Sequence, residues 1–403
     1  MKFGLFYFLS APRSLNSDDW EPEKERVRFQ EALDQVELAD RVGFDYVYAL
    51  EHHFRQEYSC LSASDLFLAA ASQRTKTIRL VTGIMQNPPA LNHPVRVAER
   101  AATLDLLSNG RFELGTGHGT LPELVDFLGP DLSEEFFPEG GREMWEEGTR
   151  EAVRMLEDAP YPGYEGKYFS FPLINVVPKP YQKPHPPLWT AAGSVEMNGI
   201  AAASGVGALN ISLLGLDAAR ERVEVYWDRL HQGVTPLGKT VNPAVATVAF
   251  ANLAHTREVA IARSAQAMDW FGYALRRSSQ TVHEPGVNIN REFQLAWATD
   301  DGPNQDDPHS DGIAPAHRIT SAPGCLMDSP AGALTYLAKL EETNVDSVVF
   351  AVQSGDLEQE YILETLELFG SEIIPQFKAS AALHKEWRDG QLKDFPFPVY
   401  TTV

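Results

Sequence analysis

Cysteine is nearly absent from this 403-residue chain: only Cys60 and Cys325 occur, far apart. Two distant thiols exclude a disulfide scaffold and a cysteine-rich zinc module, and they fit a reducing compartment. Cationic residues are also scarce, with 34 Lys and Arg against 56 Asp and Glu, a formal net charge of −22. Such a surface repels nucleic-acid phosphates and anionic membranes, so any anionic ligand needs a local cationic or backbone N–H site. No apolar run approaches the ~18 residues of a membrane span. The stretch Phe3–Leu9 is short and is followed at once by Pro12 and Arg13, which suits a buried first strand better than a secretory signal. These absences predict a cytoplasmic protein with neither nucleic acid nor membrane as partner.

What is present is a regular alternation. Hydrophobic residues make up 43% and charged residues 22%, enough for a large core. Strands are expected at Phe3–Leu9, Asp45–Leu50, Ile78–Ile84, Arg111–Gly115, Leu188–Ala192, Ala208–Leu213, Val245–Asn252 and Asp346–Val352. Helical spacing falls between them. It runs through Phe29, Leu33, Val36 and Ala39 up to Gly43, then over Ser64–Arg74, through Val97, Ala101 and Leu104, and through Trp145, Ala152 and Met155. Further helices are expected at Val195–Ala203, Asp217–Leu230 and Arg257–Tyr273, and a long final one carries Ile362, Leu366, Phe369, Ile373 and Phe377. Eight strand–helix units predict an α/β protein, a (β/α)8 TIM barrel forming a single domain over residues 1–403. An open doubly wound sheet with a second domain is the alternative. Tyr161–Pro187 breaks the period, with an excursion strand at Tyr168–Phe171. Arg276–Pro323 is dense in Asp, Asn, Gly and Pro and reads as an inserted lid or binding loop. Lys378–Val403 reads as a C-terminal extension, a surface wrap or a partner-docking arm.

Several motifs carry candidate chemistry. Gly233-Val-Thr-Pro-Leu-Gly238-Lys239-Thr240 matches the P-loop expression, but a helix precedes it and Pro236 and Pro243 interrupt it, so it is a helix–strand turn. Gly115-Thr-Gly117-His118-Gly119 lacks the third glycine of a dinucleotide fingerprint. At a strand end its glycines would still let backbone approach a ligand. Glu51-His52-His53-Phe54 leaves the second strand directly. Adjacent histidines in extended chain diverge, and no His-x-x-x-His or Cys-x-x-Cys spacing supports a metal. His52 is either a general base at a barrel mouth or a satisfied structural residue. Ser194, after Ala191-Ala192-Gly193, is a natural helix N-cap that could also receive a phosphate, and Arg142 could reach the same anion.

Taken together, these residues resemble the bacterial luciferase-like flavin-dependent monooxygenases. The likeness runs through Met1-Lys2-Phe3-Gly4, Gly43-Phe44-Asp45, Glu51-His52-His53-Phe54, His93-Pro94-Val95-Arg96 and Ser108-Asn109-Gly110-Arg111-Phe112, then Gly115 and Ser194. It covers most of the chain up to about residue 215 and resumes at the last strand. The resemblance implies the barrel fold and FMN as cofactor. It places His52 near the flavin's reactive edge as the catalytic histidine, and His118, Arg142 and Ser194 on the FMN phosphate, with Gly193 beside them. It puts a cis peptide at Gly83–Ile84 under the isoalloxazine ring, makes residues 276–323 a mobile lid, and implies a homodimer packed through barrel helices. The implied activity is a two-component monooxygenase. A separate NAD(P)H:flavin reductase would deliver reduced FMN, O2 would add at the flavin C4a as a hydroperoxide, and a small organic substrate would be oxygenated. Gly193 stands where luciferases carry a glutamate and Gly117 where they carry a reactive cysteine, so light emission from a long-chain aldehyde is not implied. The rival readings are a deazaflavin-dependent hydride transferase, a non-catalytic flavin-binding homologue, and a glycosidase using Glu51 and Glu113. Phe6, Phe8 and Tyr58 would line an apolar substrate pocket or simply pack the core.

Overall fold

In the computed structural model, which describes residues 1–89, 91–120, 123, 139–210, 215–280, 286–298 and 324–400, a parallel sheet closes on itself. Its strands are β1 (Lys2–Tyr7), β2 (Tyr46–Ala49), β3 (Arg79–Thr82), β4 (Phe112–Gly117), β5 (Leu188–Ala191), β6 (Gly207–Asn210), β7 (Val245–Leu253) and β8 (Ser347–Ala351). Each pairs with the next, and β8 returns to β1 in the register Lys2↔Ser347 to Leu5↔Phe350. Successive side chains point to opposite faces of a strand. Phe6, Tyr48, Val81, Trp189, Leu209, Val248 and Val349 therefore fill the ring. Leu5, Val47, Leu80, Leu114, Leu188 and Val348 face outward and lie under the helices. Burial on both faces explains why these strands read as continuous apolar runs.

The helices α1 (Pro22–Val42), α2 (Ser64–Arg74), α3 (Pro94–Leu107), α4 (Glu139–Glu157), α5 (Val195–Ala203), α6 (Leu216–His231) and α7 (Arg257–Gln280) follow the first seven strands in turn. Proline opens α1, and Gly43, at φ +102°, ends it while donating its N–H to the Ala39 carbonyl. The α/β barrel expectation is met, and the irregular segment holds a small antiparallel pair, Tyr164–Glu165 with Ser170–Phe171.

Three features depart from or add to the expected pattern. Arg276, taken as the start of a lid, lies inside α7, and a further helix, α8 (Ile289–Ala298), sits within the expected loop. Its first N–H groups are satisfied by a distant side chain: the Glu57 carboxylate accepts from Ile289 N at 2.7 Å and Asn290 N at 3.2 Å. Residues 281–285 and 299–323 of the lid reading lie outside the described residues. Next, a four-residue strand, Cys325–Asp328, precedes α9 (Pro330–Glu341) and pairs in parallel with the upper half of β7, from Phe250↔Cys325 to Leu253↔Asp328. The lower half of β7 pairs with β6 instead. Last, the long final helix is present as one continuous helical run, α10 (Gln359–Leu368) and α11 (Ile374–Gln391), with a π-turn over Phe369–Ile373 between them that the spacing did not show. Pro375, lacking an N–H, cannot continue the α ladder there. The expected tail from Lys378 is thus helical as far as Gln391. Beyond it the chain lies across the N-terminal end of the barrel: Val241 N donates to Pro398 O at 2.9 Å and Tyr400 N to Val241 O at 3.0 Å. Among the described residues no helix is long and apolar enough to cross a membrane.

Asp346, just ahead of β8, fixes α11 to this closed end. Its buried carboxylate accepts from Val245 N at 2.7 Å and lies 3.0 Å from His384 Nε2 and 3.1 Å from Arg388 Nη1. Burial pushes its pKa up, but His384 and Arg388 hold it below the usual carboxylate value. A depressed folded pKa contributes stability above the unfolded value near 3.9, lost as pH falls through the folded one. Asp346→Ala leaves Arg388 buried and uncompensated, so urea unfolding at pH 7 should show a loss of about 3–5 kcal/mol. The deficit should shrink on acidification toward pH 3.

Candidate functional site

The chain leaves the C-terminal end of β2 as Leu50-Glu51-His52-His53, and the two imidazoles part. His53 Nε2 lies 3.3 Å from Glu51 Oε1, whereas His52 Nδ1 lies 2.9 Å from Glu123 Oε1. Among the described residues no His, Cys, Asp and Glu cluster could hold a metal ion. Glu123 is fully buried and also accepts from His53 N at 3.1 Å, Arg55 Nε at 2.8 Å and Thr120 Oγ1 at 3.1 Å, and from the Gln86 amide. Burial alone would raise its pKa, but the bonds and charges of His52 and Arg55 hold it well below the carboxylate range. An ionised Glu123 can only accept, so His52 carries its proton on Nδ1 toward it, and Nε2 remains for proton transfer. The loop is strained just beyond: Phe54 (φ +62°) and Gln56 (φ +44°) are non-glycine residues in the left-handed region, a placement that clusters at functional sites. His52, Phe54 and Arg55 border a cavity of about 600 Å³ whose other walls include Arg13, Trp20 and Phe29.

Beside this loop, Gly83–Ile84 is a cis peptide, as the family resemblance implied. Leu114 points outward on β4, so Glu113, Gly115 and Gly117 point in. A Cβ on Gly115 would stand 1.9 Å from the Thr82 carbonyl oxygen, and one on Gly117 2.7 Å from Ile84 Cδ1. The glycines are therefore required by the close passage of the Thr82–Ile84 chain. The space beside them is taken by the Ile84 side chain. His118 follows directly. Burial lowers its pKa, with a hydrogen bond to the Gly119 backbone opposing, so the ring is neutral at pH 7.

On the next strand end, Ser194 caps α5, its hydroxyl accepting from Met197 N at 3.2 Å. A Cβ built on the neighbouring Gly193 would meet nothing within 4 Å, so there is open space at this helix start. Arg142 lies close by, its Nη1 3.9 Å from Glu196 Oε1 in the first turn of α5. A second cation stands on the other side: Arg222 donates from Nη2 to Gly193 O at 3.1 Å and from Nη1 to Asn210 Oδ1 at 3.1 Å. Helix N–H groups and two guanidiniums near an open space suit an anion, with the exposed Glu196 as the local opposing charge.

The structure thus brings His52, Gly83, Ile84, His118, Arg142, Gly193 and Ser194 to segments at the C-terminal ends of β2, β3, β4 and β5. It does not bring Glu51 and Glu113 together. Glu113 sits at the opposite end of the ring, bound to Arg79 and to Trp189 Nε1, which removes the glycosidase pair. Phe6, Phe8 and Tyr58 are buried and interlocked, with Phe8 5.6 Å from Tyr58 and 5.0 Å from Phe271 between ring centroids, so they are core. Sequence reading missed Glu123, Arg55, Arg222 and Asn252. For Glu123 a signal existed: Thr120-Leu-Pro-Glu123 has the Ser/Thr-x-x-Glu spacing of a capping box.

Residues 1–314 match the model of the luciferase-like monooxygenase family, and the chain belongs to that family. It is 27% identical over 229 residues to the oxygenase component of a flavin-dependent trigonelline monooxygenase from Acinetobacter baylyi, covering 56% of this chain and 57% of that protein. The chain therefore spans little more than half the length of that relative. Among solved structures, it matches the oxygenating constituent of 3,6-diketocamphane monooxygenase from Pseudomonas putida, a Type II Baeyer–Villiger monooxygenase in complex with FMN. The TM-score is 0.68 at 21% identity, covering 93% of this chain and 98% of that one. It also matches the coenzyme F420 dependent tetrahydromethanopterin reductase of Methanopyrus kandleri, with a TM-score of 0.65 at 21% identity, covering 93% and 99%.

Asn252, near the upper end of β7, points inward with Val248 and Phe250, is 1% exposed, and among the described residues neither of its amide atoms has a hydrogen-bond partner. A buried amide without partners costs ~1–3 kcal/mol. If it is kept for a ligand rather than for the fold, Asn252→Leu should raise the thermal midpoint of the ligand-free protein; a lowered midpoint would show that the amide serves the fold.

Proposed function

We propose that the chain is the oxygenase component of a two-component monooxygenase. It takes reduced FMN from a separate NAD(P)H:flavin reductase, together with O2, and oxygenates a small organic substrate. The observation that carries this reading is the His52–Glu123 pair on the same barrel rim as the glycine-lined strand ends and the Ser194 helix start. The residues present fit FMN: the open space at Gly193, with Ser194, Arg142 and Arg222 around it, suits the phosphate. His118, neutral when alone, gains a reason to protonate beside a phosphate dianion. The stretch Gly83–Ile84, with the Ile84 side chain lying against Gly115 and Gly117, offers an apolar bed for a planar ring. When bound, reduced FMN supplies two electrons, so that one oxygen atom enters the substrate and the other leaves as water.

The protein's part is proton handling and shelter. His52 Nε2 moves a proton at the reacting oxygen or substrate, a role typically worth about 10²–10⁴ in rate. Glu123 keeps the imidazole in one tautomer and stabilises it when it is protonated, as a carboxylate behind a histidine does elsewhere. The open cavity beyond His52, with Trp20, Phe29 and Phe54 in its walls, receives the organic substrate. A homodimer packed through barrel helices belongs to the same reading.

The likeness to a coenzyme F420 dependent reductase keeps a deazaflavin hydride transferase as the second reading. Mixing FMN-reduced protein with oxygenated buffer separates the two. Oxygen consumption coupled to substrate oxygenation supports the first, and hydride transfer with a deazaflavin but no oxygen uptake supports the second. His52→Ala should lower turnover by about 10²–10⁴ while leaving FMN affinity unchanged. Arg142→Ala, at a half-exposed cation, should weaken FMN binding by roughly threefold to tenfold without altering turnover at saturation. Unchanged turnover in the His52 variant would remove that residue from the mechanism.

A further inference from the structure

Arg55 does more than neutralise Glu123. Its side chain is 4% exposed, and all three guanidinium nitrogens are engaged on different parts of the fold. Nε donates to Glu123 Oε1 at 2.8 Å, Nη2 to Thr120 Oγ1 at 2.7 Å, and Nη1 to the carbonyl of Ser278. Ser278 lies in the last turn of α7, where helix carbonyls have no partner within the helix, so Arg55 caps that end. Helix α7 itself lies across one side of the rim. Ser264 near its start donates to Met327 Sδ at 3.0 Å, beside the upper half of β7. Phe271, midway, packs on Phe8, Tyr58 and Phe250, and Ser278 reaches the β2 loop. One planar fork thus joins the end of this crossing helix to the carboxylate that holds His52. The strained backbone at Phe54 and Gln56 brackets the residue that makes the join.

We propose that Arg55 is a positioning residue that couples the seating of α7 across the rim to the setting of the His52 ring. The proposal rests on the reading that His52 moves protons at this site. The groups that face the junction are Glu123 and Thr120 beyond β4, Gln86 beyond β3, His52, His53 and Tyr58 of the β2 loop, and the Ser278 carbonyl of α7. With α7 seated, Ser278 and Thr120 fix the plane of the guanidinium, and that plane fixes the Glu123 oxygen shared with His52 Nδ1. When the helix end shifts, Arg55 loses one of its three anchors and its hold on Glu123 Oε1, the oxygen shared with His52 Nδ1, slackens, while His53 N, Thr120 Oγ1 and the Gln86 amide go on holding the rest of the carboxylate. A lysine can neutralise Glu123 but, as a point charge, cannot hold three divergent partners in one plane. An independent handle exists on the far side of α7: Glu292 of α8 accepts from Arg277 Nε at 3.2 Å and from Tyr273 OH at 3.4 Å, and does not touch Arg55.

The test uses the full chain without flavin, labelled with 15N in its histidine rings, so that it does not depend on the oxygenase reading. Ring-nitrogen shifts report which nitrogen of His52 carries the proton, and hydrogen exchange reports the amides of residues 275–280. Arg55→Ala should replace the single Nδ1–H pattern with a mixture of tautomers and speed exchange at the α7 end by about tenfold or more. Arg55→Lys should keep the tautomer pattern yet speed exchange. Glu292→Ala should loosen the α7 end and shift the His52 ring signals from a distance. Unchanged ring signals in Arg55→Ala, or in Glu292→Ala once its helix end has loosened, would overturn the coupling. Should Arg55→Ala fail to fold, the lysine and Glu292 variants decide the matter. If the wild-type chain consumes no oxygen with reduced FMN, the oxygenase reading fails on its own while these measurements still stand.

Discussion

Closure of the sheet between the first and last strands is the constraint from which the rest follows. While β1 and β8 are paired, every strand runs in the same direction around a ring, and each loop after a strand must emerge on one rim. Residues as far apart in sequence as His52, His118 and Ser194 are then neighbours on a common edge, although nothing local draws them together. The opposite rim shows what the closure costs to maintain. There Asp346, His384 and Arg388 form a buried polar knot, and residues 398–400 lie across the strand starts.

The C-terminal rim is built by the opposite policy. The lower ring is filled with large interlocked side chains, whereas the upper one tolerates features that packing alone would select against. Glycines stand where inward side chains would go, left-handed non-glycine residues stand in the β2 loop, and Asn252 is buried with no partner among the described residues. Glu123 would be a liability as a lone buried carboxylate. With His52 and Arg55 around it, it becomes the fixed negative point about which the loop is organised. Local costs of this kind gathered on one edge of an otherwise well-packed barrel mark where selection has acted for something other than stability.

The barrel was largely legible because its evidence is local and repeated. Apolar runs such as Tyr46–Ala49 and Ser347–Ala351, spaced by helices that begin at Pro22, Pro94 or Ser194 and end near a glycine such as Gly43, state their own type. What escaped depended on contacts made at long range. The helix Ile289–Ala298 is capped by Glu57 from another loop, and the strand Cys325–Asp328 is too short to show a period and exists only because β7 is there to pair with it. The candidate site divided in the same way. His52 and Ser194 were visible as strand-end and helix-start residues. Glu123, Arg55 and Arg222 matter through partners in other segments, which spacing along the chain does not reveal. The final helix showed as one run through Ile362, Leu366, Phe369, Ile373 and Phe377, but its π-turn did not, because Pro375 can be accommodated by widening a turn as well as by stopping a helix.

The short strand that edges alongside β7 finishes that strand's hydrogen bonding. Over Val245–Thr247, β7 pairs with β6, and over Phe250–Leu253 the same edge passes to Cys325–Asp328. A buried backbone edge left open would strand its N–H and C=O groups without partners. A relative without that strand must therefore satisfy the upper edge of β7 in some other way.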